Sequence, residues 1–196
     1  AGRLYDSEPS KIQSSFKKRD QTGTVTDQFW ISLDSYNDNE NALTFLTSPS
    51  GHRTDWAVSN DAVGHSPFNV NWNTFWKARS TTNPKGWFTE MRIPLSSLQF
   101  EEKNDTIIMG MTVGRLVARK SEISTYPPIP AKWGFMSFIK PSKMKDIALE
   151  GIRNQKPFYI TPYVLGGLGQ SHNINDQGTK YLKKNTILGD IGLDVK

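Results

Sequence analysis

Apolar and polar residues alternate at period two along most of this chain, and helical spacing is nearly absent. Over 27–34 (DQFWISLD), Phe29, Ile31 and Leu33 alternate with Gln28, Ser32 and Asp34, as in a strand with one buried face. Trp30 falls on the polar side of that alternation, where an indole either packs beneath a loop or meets a ligand. Further strands are predicted over 42–46 and 53–58, with Ser48-Pro-Ser-Gly as the turn between them. Residues 76–80 pair with 86–93 across Thr81-Thr-Asn-Pro-Lys. A long strand follows over 106–118, with Ile108, Gly110, Thr112, Gly114 and Leu116 on one face, and 133–138 closes the series. Residues 9–16 hold one short helix at most, 60–73 read as a loop, and Tyr126-Pro-Pro-Ile-Pro reads as rigid irregular chain. Short strands separated by Gly/Pro turns predict an all-β antiparallel sandwich.

The pattern changes after Pro141. Gly151-Ile-Arg-Asn-Gln-Lys-Pro reads as a connector, so 141–155 is expected to be a linker. Residues 158–168 and 187–196 then form long strands. In the second, Ile187, Ile191, Leu193 and Val195 face one way, while Leu188, Asp190, Asp194 and Lys196 mostly face the other. The polar stretch 171–184 is expected to be a loop. Strands of about ten residues with one apolar face suit a transmembrane β-barrel, and a hairpin extending the sandwich fits the same pattern.

A chain of 196 residues suits one domain, or one domain and part of another. It has no cysteine, which excludes disulfides and Cys-based chemistry. The formal charge of +5 is scattered in short clusters, Lys17-Lys18-Arg19, 140–145 and Lys183-Lys184, and does not predict a nucleic-acid interface. No apolar run reaches the roughly 18 residues of a transmembrane helix. Ala1-Gly-Arg-Leu-Tyr-Asp reads as starting within a strand, so a piece of a longer protein is expected.

Three groups of residues carry candidate chemistry. Asp34, Asn37, Asp38, Asn39 and Glu40 gather oxygen ligands of the kind calcium takes, yet Asn and Asp are also ordinary turn residues. Six tryptophans are many for this length, and Trp56, Trp72 and Trp76 have Arg53, Asp55 and Asn71 beside them. Indoles flanked by polar groups make a platform for pyranose rings, and large aromatics are equally the usual filling of a sandwich core. Catalytic groupings are thin. His52, His65 and His172 fall in no metal-binding spacing, and Gly64-His-Ser-Pro-Phe is not a nucleophile elbow. Glu90 with Glu101 or Glu102 is the one pair of carboxylates that a hydrolase reading would use. The chain is expected not to be an enzyme.

Three segments occur in a telling order: 27–38 (DQFWISLDSYND), 42–51 (ALTFLTSPSG) and 86–100 (GWFTEMRIPLSSLQF). Together they resemble the family 9-like carbohydrate-binding module that precedes a bacterial outer-membrane β-barrel of unassigned function. Phe135-Met-Ser-Phe resembles the end of that module, and Thr161-Pro-Tyr-Val-Leu-Gly-Gly the opening strand of the barrel. The resemblance implies a jelly-roll-like sandwich over 1–140, lacking its first strands, and the first barrel strands over 156–196. It implies a module in the periplasm or at the cell surface, held at the outer membrane by the barrel. Such modules clamp a sugar between two aromatics with polar neighbours, for which Tyr126, Arg53, Trp56, Trp72 and Trp76 are the candidates here. Asp34, Asn37, Asp38 and Glu40 are the candidates for calcium. This chain departs from the pattern beside Asp27, where Asp20-Gln-Thr-Gly-Thr-Val-Thr supplies no aromatic and Gln28 stands in an acidic place. The expected function is non-catalytic glycan recognition. The other reading is a structural or protein-interaction domain that docks onto or gates its barrel, with an envelope protein as partner.

Overall fold

The computed structural model describes residues 1–102, 105–134, 136–152 and 160–195. Phe135, residues 153–159 of the expected linker and barrel opening, and Lys196 lie outside the described residues. The chain divides into two units, 1–155 and 156–196. Among the described residues every regular element in the first unit is a strand or a single 3-10 turn, and all strand pairs are antiparallel.

A three-stranded sheet has the order β1 (Gly2–Tyr5), β7 (Gly86–Arg92), β6 (Lys77–Asn83). A seven-stranded sheet has the order β10 (Lys145–Glu150), β8 (Thr106–Val117), β2 (Gln28–Asp34), β3 (Ala42–Thr47), β4 (Arg53–Val58), β5 (Phe68–Asn69). Its seventh strand, β9 (Glu122–Tyr126), pairs with the second half of β8, whose first half carries β10. Ile31, Leu33 and Phe45 of the large sheet share a core with Ala78 and Met91 of the small one, Trp76 among them. Two sheets closed on one apolar layer make the first unit a β-sandwich.

The large sheet is also buried on its other face. Trp30, Ala42, Leu46, Val58 and Leu116 pack against Met136, Phe138, Ile139 and Met144. The Trp30 indole is 3% exposed and meets Phe138 edge-on at 5.4 Å. Between these apolar side chains runs a polar row, in which Ser32 and Thr44 share a hydrogen bond of 2.8 Å and Thr112 stands across from Ser32. The alternation over 27–34 therefore marks which residues face the small sheet, and its polar half is covered as well.

Four differences from the sequence reading stand out. Residues 145–150 fall in the stretch expected as a linker, 141–155, yet they form a strand whose Ile147 and Leu149 pack on the inner core. Within 133–138, expected as a strand, Trp133 ends one 3-10 turn and Ser137 begins another, with Gly134 at φ +108 between them. Met136 and Phe138 pack on the outer face of the large sheet and add no strand to it among the described residues. Glu122–Tyr126 is a strand because β10 covers only the first half of the β8 edge that faces away from β2 and leaves the second half free, which its polar sequence does not advertise. The expected helix near residue 9 is the single 3-10 turn Pro9–Lys11.

In the second unit β11 (Ile160–Ile174) and β12 (Tyr181–Val195) form one antiparallel hairpin of 15-residue strands. Residues 171–174 and 181–184, expected as loop, belong to the ladder. The turn is only 175–180, closed by Asn175 Oδ1 accepting from the Thr179 and Lys180 amides. One face presents Ile160, Pro162, Val164, Gly166 and Leu168 opposite Leu193, Ile191, Gly189 and Ile187, and turns polar at Gln170 opposite Asn185. The other carries Thr161, Asp194, Leu165 and Asp190, with Tyr163 lying over Gly192.

Two side-chain contacts tie the first unit together and are testable. Gly114 lies opposite Trp30, and a Cβ there would come 2.0 Å from the indole. Gly114→Ala is expected to cost about 1–3 kcal/mol by forcing the ring out of place. Urea unfolding followed by tryptophan fluorescence checks it, and an unchanged midpoint would contradict it. Asp6 is the second. Arg119 donates to both of its oxygens, at 2.8 and 2.7 Å, and that pairing draws the carboxyl down to about 2. A lowered carboxyl contributes stability above its unfolded value of 3.8, lost as pH falls towards 2. Asp6→Asn should therefore cost about 2 kcal/mol at neutral pH, with wild type and variant converging near pH 2.

Candidate functional site

β4 reaches the surface between two loops, 17–24 and 69–74, and the space between them is a groove of about 400 Å³. Asp20, Thr22, Thr54, Val70, Asn71 and Asn73 line it. The strand contributes Thr54. The loops contribute a carboxylate, a hydroxyl and two amides, the donor and acceptor mixture that sugar hydroxyls need. Phe75, in the same loop as the two asparagines, is 81% exposed.

One buried carboxylate positions both loops. Asp55 points off β4, 1% exposed. Its Oδ1 accepts from Arg19 at 2.6 Å and from the Trp76 indole at 3.0 Å, and its Oδ2 accepts from the Thr74 amide at 2.9 Å. Arg19 donates onward to Asn73 Oδ1 and the Thr74 carbonyl, and its Nε lies 3.4 Å from Asp20. The Asn73 carbonyl oxygen is thereby engaged, which turns its amide NH₂ outward as a donor. His52 holds the first loop from behind. Its Nε2 meets the Gln21 carbonyl of that loop at 3.3 Å and Thr54 Oγ1 at 3.1 Å, its Nδ1 meets Ser48 Oγ at 2.8 Å, and burial keeps its pKa below the usual value.

The residues predicted from sequence are placed apart. Arg53 and Trp56 lie three apart on β4 and project to opposite faces: Arg53 stacks over Trp76 and donates to its carbonyl, whereas Trp56 packs into the outer core. Trp76 is buried, and both Trp76 and Trp72 meet Phe45 edge-on. Tyr126 is 62% exposed, but β9 is four strand positions from β4, about 19 Å across the sheet. A clamp of Tyr126 with Arg53 and Trp56 is not assembled in this structure, because strand order separates what the sequence could only list.

The acidic turn is a self-closed loop. Asp34 is buried and accepts from the Asp38 and Asn39 amides, and Asp38 accepts from the Glu40 and Asn41 amides and the Asn41 side chain. Asn37 and Asn39 take the positive φ that the turn requires. Among the described residues, no three His, Asp or Glu side chains converge as a metal site. Asp34, Asn37, Asp38 and Glu40 thus show the arrangement of an Asx-stabilised turn, and burial raises the Asp34 carboxyl. Asp27 is likewise internal, its Oδ1 accepting from the Ala118 amide at 3.0 Å.

Sequence reasoning missed the groove residues Asp20, Thr22 and Thr54. It named Asn71, within the run that also holds Asn73, as a polar neighbour of Trp72 and Trp76, and not as part of a groove. Compared with known proteins, the chain matches no family profile, no curated protein and no solved structure.

Removing Arg19 would leave Asp55 buried with only its two neutral donors. Arg19→Met is expected to destabilise the first unit by about 3 kcal/mol, while the Arg19→Met, Asp55→Leu pair recovers part of that loss. Thermal unfolding of both variants measures it. A double variant less stable than the single would contradict the assignment.

Proposed function

We propose that this chain is a non-catalytic, carbohydrate-binding-like module joined to the first strands of an outer-membrane β-barrel. The observation that carries the binding half is the groove beside β4. Asp20 accepts hydroxyl protons, Asn73 donates an amide held in place by Arg19, and Thr22 offers a hydroxyl group, while Thr54 forms the buried floor with its hydroxyl donated to the Gln21 carbonyl. Phe75, two residues after Asn73 and outside the groove lining, offers an exposed apolar ring of the kind on which the C–H faces of a neutral sugar stack. Tyr126 has no part in this site.

The barrel half rests on the hairpin. A two-stranded ribbon is marginal by itself in water. This one exposes Val164, Leu168, Ile187 and Ile191 on a single face, Leu168 at 88%. That band runs nine residues, from Ile160 to Leu168, before the face turns polar, close to the 9–11 residues with which a tilted strand crosses the hydrocarbon. The opposite face mixes Thr161, Asp190 and Asp194 with Tyr163, Leu165 and Leu188, and its carboxylates suit the lumen side of a barrel wall. No helix among the described residues is long and apolar enough to cross a membrane.

Calorimetric titration with a panel of neutral mono- and oligosaccharides tests the binding half. At least one should bind, and Asn71→Ala with Asn73→Ala should weaken it about tenfold or more, the loss of one to two net hydrogen bonds. No binding across the panel, or full binding by the variant, would contradict the groove assignment.

A further inference from the structure

The outward face of the three-stranded sheet carries charge that the groove beside β4 does not use. Register places Lys77 opposite Arg92, Arg79 opposite Glu90, and both Arg3 and Thr81 opposite Phe88, all on the side away from the core. The inward positions of the same strands are Leu4, Trp87, Thr89 and Met91, which are buried or partly buried. Four cations therefore share this face with one carboxylate. Among the described residues none of these five side chains enters an ion pair with another or with the rest of the chain. A shallow groove of about 450 Å³ crosses the face, lined in part by Arg3, Arg79, Thr81, Phe88 and Glu90.

We infer that this face binds an acidic polysaccharide. Unpaired cations collected on one side of a sheet favour an anionic partner, and three of the four are arginines. Arginine presents a planar fork that grips carboxylate or sulfate through two parallel hydrogen bonds. Arg3 and Arg79 stand two strands and two residues apart, about 12 Å. That spacing suits charges on successive disaccharides of one chain. Between them Phe88, braced edge-on by Tyr5 at 5.8 Å, gives a low apolar floor for ring C–H groups. The same Phe88 is half-buried, so it does not project as a membrane-inserting side chain would. Glu90 sits inside the cationic field as a discriminator, setting a limit on how tightly a uniformly charged polymer is held.

This site is separate from the neutral-sugar groove, and its test is separate too. The full chain is titrated with polygalacturonate, with uncharged dextran as control, at low and high salt. Wild type should bind polygalacturonate and not dextran. Arg3→Gln with Arg79→Gln should weaken binding about tenfold or more, and Glu90→Gln should strengthen it. Lys17→Gln with Lys18→Gln, equal in charge change but elsewhere, should leave it within about twofold. Circular dichroism confirms that each variant is folded. Equal losses in both double variants would reduce the effect to net charge and overturn the inference. So would absence of polygalacturonate binding, or tighter binding to anionic vesicles or duplex DNA than to the polysaccharide. Loss of neutral-sugar binding in the Asn71, Asn73 variant leaves this outcome untouched, so the two proposals fail independently.

Discussion

The central strand β2 is buried on both faces, and the rest of the first unit follows from that constraint. One face sends Ile31 and Leu33 against the small sheet; the other sends Trp30 and Ser32 beneath the 136–144 segment. A sheet with two dry faces needs two covers. The small sheet is one, and the 3-10 turns around Ser137–Ile139 and Pro141–Lys143 are the other. Those turns are pinned at the rim by Lys140, which donates to the Asp61 carbonyl at 2.7 Å, and by Ser142, whose amide and hydroxyl donate to the Asp61 carboxylate. Gly114 is the matching concession on the neighbouring strand, since the Trp30 ring occupies the place of its missing Cβ.

With the frame fixed from both sides, the two candidate binding surfaces are left to the edges and loops. Asp55 turns inward from β4 and organises 17–24 and 69–74 from below, so the groove inherits its shape from a buried charge network and not from the length of its loops. The outer side of the small sheet is the opposite case. There the strand register alone spaces Arg3, Arg79 and Glu90. One surface sets one carboxylate among amides and hydroxyls in a recess, the other sets four cations around one carboxylate on a shallow floor.

Much of this was legible in the chain. Alternation marked Phe29, Ile31 and Leu33 as one face of a strand, and the Gly/Pro turns separated most of the strands of both sheets. The Asn and Asp content of 34–41 was readable as a turn, and the hairpin's apolar face could be seen in Ile187, Ile191 and Leu193. What escaped was whatever depends on distant partners. Whether Ser32, Thr44 and Thr112 are dry is decided by a cover about 100 residues away from Ser32 in the sequence, and hydroxyl groups look the same in either setting. Lys145–Glu150 became a strand because β8 offered an edge, and Tyr126 fell far from Arg53 because three strands lie between theirs. The tryptophans allowed a core and a ligand reading alike in sequence: Trp76 and Trp72 sit beside polar residues in the chain, and in space they fill the inner core, as large aromatics of a sandwich do.

Hydroxyl-radical footprinting read by mass spectrometry tests the two-faced burial most directly, since it reports side-chain exposure residue by residue in solution. Trp30 and Leu46 on the outer core should be as protected as Phe45 and Trp76 on the inner one, while Phe75 and Tyr126 are modified fast. Trp30 oxidised at the rate of Phe75, allowing for intrinsic reactivity, would mean that the outer face of the large sheet is open and that the account of the fold is wrong.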